Sequence, residues 1–179
     1  MASVVFFRAV NVGGHQKFQP SVLAKQLADY GVVNIGAAGT FVVRENVSQT
    51  KLRDEILRRL PFEPELMIRP ARDVLALMRK DSFSDTPGGK DVQPFVSVMQ
   101  KAPSRKAGLA PLPISQPEGE KWEVRIVGIT GRFALSLRRP GRTGVYSNEV
   151  VEKHLGIPAT TRSWNTIAAI GQVLNTQDE

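Results

Sequence analysis

Apolar residues in the first half of the chain recur with two different periods. Short runs rich in Val, Ile and Phe are typical of buried strands, whereas apolar residues three or four positions apart indicate amphipathic helices. Val22, Leu23 and Leu27 share one helical face in this way. The pattern predicts strands at residues 3–10, 32–37, 39–44 and 65–69, and helices from Pro20 to Gly31, from Thr50 to Pro61 and from Arg72 to Arg79.

The first six of these elements follow the order β-α-β-β-α-β, which is the pattern of ferredoxin-like domains. The stretch from residue 81 to residue 92 is rich in Asp, Ser, Pro and Gly, a composition typical of a linker. We therefore expect a ferredoxin-like subdomain over residues 1–80 and a linker over residues 81–92.

Residues 93–179 repeat part of this order. A strand at 93–100 precedes a hairpin with alternating apolar and polar positions, Trp122 to Ile126 and Phe133 to Leu137. The other predicted elements are a short helix at 104–109, a loop at 111–117, a helix ending at Gly156 and a last helix over 164–174. The fold class is therefore α+β, with a second ferredoxin-like subdomain over residues 93–179 that is incomplete and ends in helices.

Composition excludes several kinds of chemistry. The 179 residues include no cysteine and two histidines, which excludes disulfides, thiolate zinc sites and cysteine nucleophiles and argues against a metal site. The opening apolar run ends at Arg8, well short of a signal peptide or a membrane span. We expect a soluble cytoplasmic protein with no membrane partner.

The chain is basic, and this charge suits an anionic partner. It has 24 Lys and Arg against 17 Asp and Glu, a formal charge of +7. The basic runs Arg138–Arg142 and Lys101–Lys106 suit a nucleic-acid backbone, although a solvated surface is the simpler interpretation. A surface with this charge makes nucleic-acid binding the alternative function.

Aromatic residues on the predicted first and third strands bear on that alternative. RNA-recognition sheets stack bases on such side chains, and Phe6, Phe7 and Phe41 occupy strands here. The third strand, however, lacks the basic and aromatic series of those sheets. We therefore expect these rings to pack in the core.

Polar side chains are concentrated just before the last predicted helix, in the stretch Pro158 to Thr166. Thr161 or Ser163 is expected to cap this helix, which leaves backbone N–H groups of its first turn beside Arg162. Such a helix end and a guanidinium favour a phosphate or a carboxylate. A capped helix with Trp164 in the core is the structural alternative.

A second polar stretch follows the first strand. Gly13 and Gly14 allow backbone N–H groups to approach an anion near Arg8, although a tight turn explains the glycines equally. The spacings GxGxxG and GxxxxGK[ST] are absent, which argues against dinucleotide and P-loop sites.

Taken together, the two stretches resemble a bacterial family known as domain of unknown function 1697. The family pattern Arg-Gly-Ile/Val-Asn-Val-Gly-Gly corresponds to Arg8–Gly14, with Ala9 in place of the first glycine. The pattern Pro-Ala-Thr-Thr-Arg-Asn-Trp-Asn-Thr corresponds to Pro158–Thr166, with Ser163 as the difference. In the third strand, Ala38–Val43 loses the polar residues of the family's Ser-Gly-Asn-Val-Val-Phe. The resemblance implies two ferredoxin-like pieces and no established activity.

The leading hypothesis is a protein that binds a small anionic ligand, such as a nucleotide, a phosphorylated metabolite or a carboxylate, between the subdomains. No cofactor, catalytic residue or oligomeric state is identified from the sequence, and whether the protein is an enzyme stays open. An interaction module, in which the terminal motifs only hold the last helix, is the remaining alternative. The predicted ligand-binding residues are Arg8, Asn11, Gly13, Gly14, Arg162, Trp164 and Asn165.

Overall fold

Two antiparallel β-sheets and five α-helices form the described part of the chain, which confirms the α+β fold class. The computed structural model describes residues 1–9, 18–80, 82–83, 89–104 and 111–176. The chain divides into two compact units, Met1–Asp81 with Thr166–Glu179 and Ser82–Asn165. Each unit contains one of the sheets.

Most elements begin and end close to where the periodicity predicts them. The first unit contains strands β1 (Ser3–Arg8), β2 (Val32–Asn34), β3 (Thr40–Val43) and β4 (Glu65–Pro70), and helices α1 (Pro20–Gln26), α2 (Gln49–Leu57) and α3 (Ala71–Arg79). The second contains strands β5 (Gln93–Met99), β6 (Ile114–Gln116), β7 (Val124–Thr130), β8 (Phe133–Arg138) and β9 (Ala159–Ser163), and helix α4 (Ser147–Leu155). Helix α5 (Trp164–Asn175) follows β9 directly.

The first sheet has the order β2-β3-β1-β4, with β1 in its interior. Residues Val4 to Phe7 of β1 are at most 1% exposed, as expected of a strand that is apolar on both faces. On one face Phe7 stacks on Phe18 with 5.0 Å between ring centroids, and Leu23 of α1 and Leu52 of α2 belong to the same core. This face of β1 therefore packs against both helices.

The observed helix α1 differs from the prediction in its apolar face and in its end. Leu23 and Leu27 are buried, but Val22 is 43% exposed, so the face is narrower than the sequence indicates. The helix also ends earlier than predicted, at Gln26; a 3₁₀ turn over Ala28–Tyr30 follows, and Gly31, with a left-handed φ of 60°, ends that turn.

Helix α5 is anchored in the first unit by two contacts. Gly171 lies against Met78 of α3, where a Cβ atom on residue 171 would overlap the sulfur and lie 2.6 Å from Cε. Arg44, at the end of β3, donates from its Nη2 to the carbonyl oxygen of Val173 at 3.3 Å. A cation at a helix C-terminus complements the helix dipole.

The second sheet has the order β6-β7-β8-β5-β9. Helix α4 covers one face, where Val150 and Val151 belong to one core cluster with Val124 and Ile126 of β7. Without β6, the order is second, third, first and fourth strand of the unit, which is also the order of the first sheet.

Two strands of the second unit correct the sequence interpretation. The stretch Ala159–Ser163, predicted as part of a helix cap, forms β9 and pairs with β5. The predicted loop at 111–117 contains β6. Strand β9 pairs with β5, far earlier in the chain, which local periodicity does not report. Strand β6 lies between Pro113 and Pro117, and prolines argue against a strand in the local sequence.

The division into units also differs from the predicted one. The C-terminal residues, predicted in the second subdomain, group with the first unit from Thr166 onward. The predicted short helix at 104–109 lies largely outside the described residues. Among the described helices, none is long and apolar enough to cross a membrane.

Candidate functional site

Two recesses adjoin the loop that joins β8 to α4 in the second unit. The first has a volume of about 400 Å³ and is lined by the start of β5, the end of β8 and the loop. The second has a volume of about 520 Å³ and is lined by residues 117–123 and the same loop. This loop spans residues 139–146, whereas the loop that joins β3 to α2 in the first unit spans residues 44–48.

The loop is bound to the carboxylate of Glu123, a buried residue next to β7. The backbone N–H of Thr143 donates to both oxygens, at 3.1 and 3.2 Å, and its hydroxyl donates at 2.7 Å. The N–H of Gly144 donates at 3.0 Å. Gly141 lies so close that a Cβ atom there would come within 2.6 Å of Oε1. These contacts hold the loop in one conformation.

The same hydrogen bonds keep Glu123 ionised. The hydroxyl of Thr143 lowers the pKa of the Glu123 carboxyl below its usual 4.5, and the N–H groups of Thr143 and Gly144 and the charge of Arg138 add to this effect against the opposing effect of burial. The negative charge of Glu123 therefore interacts mainly with the hydrogen-bond donors of the loop.

Trp122 supports the loop from the preceding segment. Two guanidinium groups lie over its ring, that of Arg125 at 4.4 Å and that of Arg139 at 4.2 Å from the ring centroid. Arg139 also donates to the carbonyl oxygens of Trp122 and Glu120. Because Trp122 is 6% exposed, its ring is a structural support and not a free stacking surface.

Arg138 presents its guanidinium at the end of β8. Its Nε donates to the carbonyl oxygen of Val145 at 3.3 Å, and the group lies 4.2 Å from the ring centroid of Tyr146. Tyr146 is itself 53% exposed. Arg138 lines the first recess together with Lys90, so two cations from different segments meet there.

Cations outnumber carboxylates in both recesses. The first is lined by Lys90, Arg138 and Arg139 against Asp91 and Glu123, and the second by Lys121, Arg139 and Arg142 against Glu120 and Glu123. Guanidinium groups bind phosphates and carboxylates with directed hydrogen bonds, and both recesses thus suit an anionic group. In the described part of the chain, no group of three or more His, Asp or Glu residues is placed to hold a metal ion.

Arg8, predicted as a ligand-binding residue, is engaged within the first sheet. Its Nη1 donates to both carboxylate oxygens of Glu65 at 2.9 Å, and Glu65 is its partner in the register of β1 and β4. The Arg8 side chain is 25% exposed. A ligand at this position would have to share the guanidinium with that carboxylate.

Arg162 lies on β9 opposite Val96 of β5 and is 6% exposed. Its Nη1 donates to Oγ1 of Thr160 at 2.6 Å and to the carbonyl oxygen of Thr161 at 3.0 Å. Burial lowers the pKa of Arg162 to about 10, so the guanidinium stays charged at pH 7. This buried cation belongs to the second unit, whereas Arg8 belongs to the first.

The other predicted site residues divide into two groups. Trp164 begins α5 and packs edge to face on Phe83 with 5.2 Å between centroids, while Asn165 beside it is exposed. Asn11, Gly13 and Gly14 lie outside the described residues. Arg162, Trp164 and Asn165, which are near neighbours in the sequence, lie at the junction of β9 and α5.

The backbone at Ala9 bears on one departure from the family pattern. Its φ is 58°, in the left-handed region that favours glycine. The family pattern has glycine at this position, so the backbone here keeps a glycine conformation with an alanine side chain.

The strand aromatics do not form a nucleic-acid surface in the first unit. Phe6, Phe7 and Phe41 are at most 2% exposed. Their rings have no face open to a base, which confirms the expectation that they pack in the core.

Lys90, Glu123 and Thr143 were not predicted as site residues. Glu123 alternates with apolar residues in the hairpin, so periodicity places it on a solvated face. The run Arg138–Arg142 is predicted from the sequence as a basic surface, either solvated or suited to a nucleic-acid backbone. Its Pro140-Gly141 pair, followed by Thr143-Gly144, is the signal of a tight loop that could have drawn attention to the segment.

A family model matches residues 1–127 of the chain. The chain belongs to this family, described as Protein of unknown function (DUF1697). The match includes the Arg8–Gly14 stretch of the DUF1697 pattern and ends before both the Pro158–Thr166 stretch and the 139–146 loop.

One solved structure has the same fold as this DUF1697 chain. It is a conserved bacterial protein from Streptococcus pneumoniae with 16% sequence identity and a TM-score of 0.56, and the match covers 97% of this chain and 98% of that one. At this identity the likeness concerns the fold alone. No curated protein matches the chain.

Proposed function

We propose that this protein binds a small anionic ligand, a nucleotide, a phosphorylated metabolite or a carboxylate, in the first recess of the second unit. The observation that carries the proposal is that Lys90 and Arg138, from different segments, both line a recess of about 400 Å³. This volume is within the range of small-molecule sites, roughly 300–1,000 Å³. The same recess is lined by the carboxylates of Asp91 and Glu123, so that Lys90, Arg138 and Arg139 leave an excess of one positive charge for a ligand.

A thermal-shift series tests this function. Inorganic phosphate, adenosine monophosphate and citrate are the probes, and a ligand at about 100 times its Kd should add about 2.7 kcal/mol to the free energy of unfolding. Lys90→Gln should weaken binding, whereas Lys153→Gln, which removes the same charge from the exposed side of α4, should not. If no probe stabilises the protein, or if both variants bind equally well, the recess is not the site.

The terminal motifs are a second proposed position for the same ligand. The support is the buried, charged guanidinium of Arg162 and the partly exposed Arg8, and the remaining proposed residues are Asn11, Gly13, Gly14, Trp164 and Asn165. Arg162→Lys keeps the charge but removes the planar fork. Loss of affinity in Arg162→Lys and Arg8→Lys, with normal affinity in Lys90→Gln, would place the ligand at the motifs.

We also propose that both units are ferredoxin-like and descend from one duplicated unit. The support is the common strand order, β2-β3-β1-β4 and β7-β8-β5-β9, with β6 added at the edge of the second sheet. A helix follows the last strand of both sets, α3 after β4 and α5 after β9, although α5 groups with the first unit from Thr166 onward. An experimental structure in which the two sets of four strands cannot be superposed in this order would contradict the duplication.

A further inference from the structure

We propose that the ligand carries two separated anionic groups, one for each of the recesses beside the 139–146 loop. This inference rests on the proposed function and extends it to the second recess. The two recesses share a wall, which consists of Glu123, Arg139, Pro140 and Gly141. A ligand in one recess therefore reaches the other across a single loop.

Each recess has its own cations in addition to the shared Arg139. Lys90 and Arg138 line the first, and Lys121 and Arg142 line the second. Lys121 and Arg142 are both exposed, so an anion can reach them without a change of the fold. One anionic group can neutralise only one of the two pairs, whereas a ligand with two such groups can engage both.

The wall between the recesses is held in place. Glu123 accepts hydrogen bonds from Thr143 and Gly144, and Gly141 packs directly on its side chain. Arg139 is bound to the carbonyl oxygens of Trp122 and Glu120. Because this wall is fixed, the two recesses do not merge into one larger site, and the anionic groups of the ligand have to be separated by the width of the loop.

A small molecule fits the second recess better than a nucleic-acid strand does. Its volume is about 520 Å³, in the range of small-molecule sites. Single-strand binding uses aromatic rings as stacking platforms, but Trp122 is 6% exposed and its ring already contacts the guanidinium groups of Arg125 and Arg139. The guanidinium of Arg138 likewise covers one face of Tyr146. The chemistry is therefore that of a bisphosphate or a dicarboxylate.

Calorimetric titration of the full chain tests this inference with matched probes. A hexose bisphosphate and the corresponding hexose monophosphate distinguish two groups from one, glutarate supplies two carboxylates, and a short oligothymidine represents nucleic acid. We expect the hexose bisphosphate to bind about tenfold more tightly than the hexose monophosphate, or glutarate to bind about tenfold more tightly than acetate. A tenfold difference corresponds to about 1.4 kcal/mol.

The variants assign the two groups to the two recesses. Arg142→Gln and Lys121→Gln should lower the affinity for the bisphosphate several-fold and leave that for the monophosphate unchanged. Lys90→Gln should weaken both, and Lys153→Gln should weaken neither. Because Lys90, Lys121, Arg142 and Lys153 are exposed, these changes leave the core intact.

Three results would overturn the inference, and they have different consequences for the function. Equal affinity for the one-group and two-group probes, insensitive to Arg142→Gln, overturns it and leaves the proposed function in place. Tightest binding of the oligothymidine, with a steep loss of affinity as salt increases, assigns the loop to nucleic acid. Binding of no probe overturns both the inference and the proposed function.

Discussion

Gly141 lies directly on the side chain of Glu123, and a Cβ atom at residue 141 would come within 2.6 Å of Oε1 of that carboxylate. The carboxylate cannot move away easily, because Thr143 and Gly144 donate hydrogen bonds to it. The absence of a side chain at residue 141 is therefore a condition for the loop conformation.

Gly141→Ala should destabilise the second unit. Overpacking of this kind costs about 1–3 kcal/mol. The measurement is the midpoint of urea unfolding, monitored by tryptophan fluorescence. The two tryptophans of the chain, Trp122 and Trp164, both belong to the second unit. Gly89→Ala is the control, because a Cβ there meets Val92 at an ordinary 3.6 Å. Equal stability of the two variants would contradict the close approach.

The stability of the second unit should fall in acid. The hydroxyl of Thr143 lowers the pKa of Glu123 below 4.5 in the folded chain. A carboxyl with a lowered pKa stabilises the fold above its unfolded value, and this contribution is lost as the pH falls through the folded pKa. We expect the free energy of unfolding, measured by tryptophan fluorescence, to fall below a pH of about 4.5 in the native chain. The fall should be smaller in Glu123→Gln.

Glu55→Gln is the matched control for this pH dependence. Its carboxyl lies in the first unit, and a hydrogen bond from Arg59 lowers its pKa as well. In this variant, the stability measured by tryptophan-detected unfolding should fall in acid as much as it does in the native chain. A Glu123→Gln protein with the native pH dependence would show that the loop does not depend on the ionised carboxylate.

Ala9→Gly should stabilise the protein. Ala9 has a φ of 58°, and this left-handed conformation costs an L-residue roughly 1–2 kcal/mol. Glycine avoids that cost, but its greater freedom in the unfolded chain cancels part of the gain. The expected gain is about 0.5–1 kcal/mol, measured by thermal unfolding. Ala28→Gly, on an exposed 3₁₀ turn without positive φ, should have the opposite sign. A loss of stability in Ala9→Gly would contradict the left-handed backbone.

Gly171→Ala should destabilise the first unit through the contact between α3 and α5. The added methyl would overlap the sulfur of Met78, at a cost of about 1–3 kcal/mol. In a Met78→Ala background the space is vacant, and the same substitution should cost much less. A double-mutant cycle measures this coupling. Additive effects would show that Gly171 and Met78 are not in contact.

Most of the fold could be predicted from local pattern. The apolar runs of β1 and β8, the end of α4 at Gly156 and the start of α5 at Trp164 all depend on neighbouring residues, and the structure has them where the sequence predicts them. The sequence does not predict β9, because it is short and pairs with the distant β5, nor β6, because it is three residues long and lies between prolines. The candidate site was missed for a related reason, since Glu123 has the period of a surface residue and is enclosed only by the loop twenty residues further along the chain.

The sequence by itself determined the α+β class, the family and the basic character of the chain, because apolar period, motif and charge are local properties. The tertiary structure decided which side chains meet. It pairs Arg8 with Glu65, buries Arg162 on β9, and places Lys90 and Arg138 in the lining of one recess, whose wall is held by Glu123. These contacts join residues far apart in the chain, and only the folding of the strands into sheets brings them together.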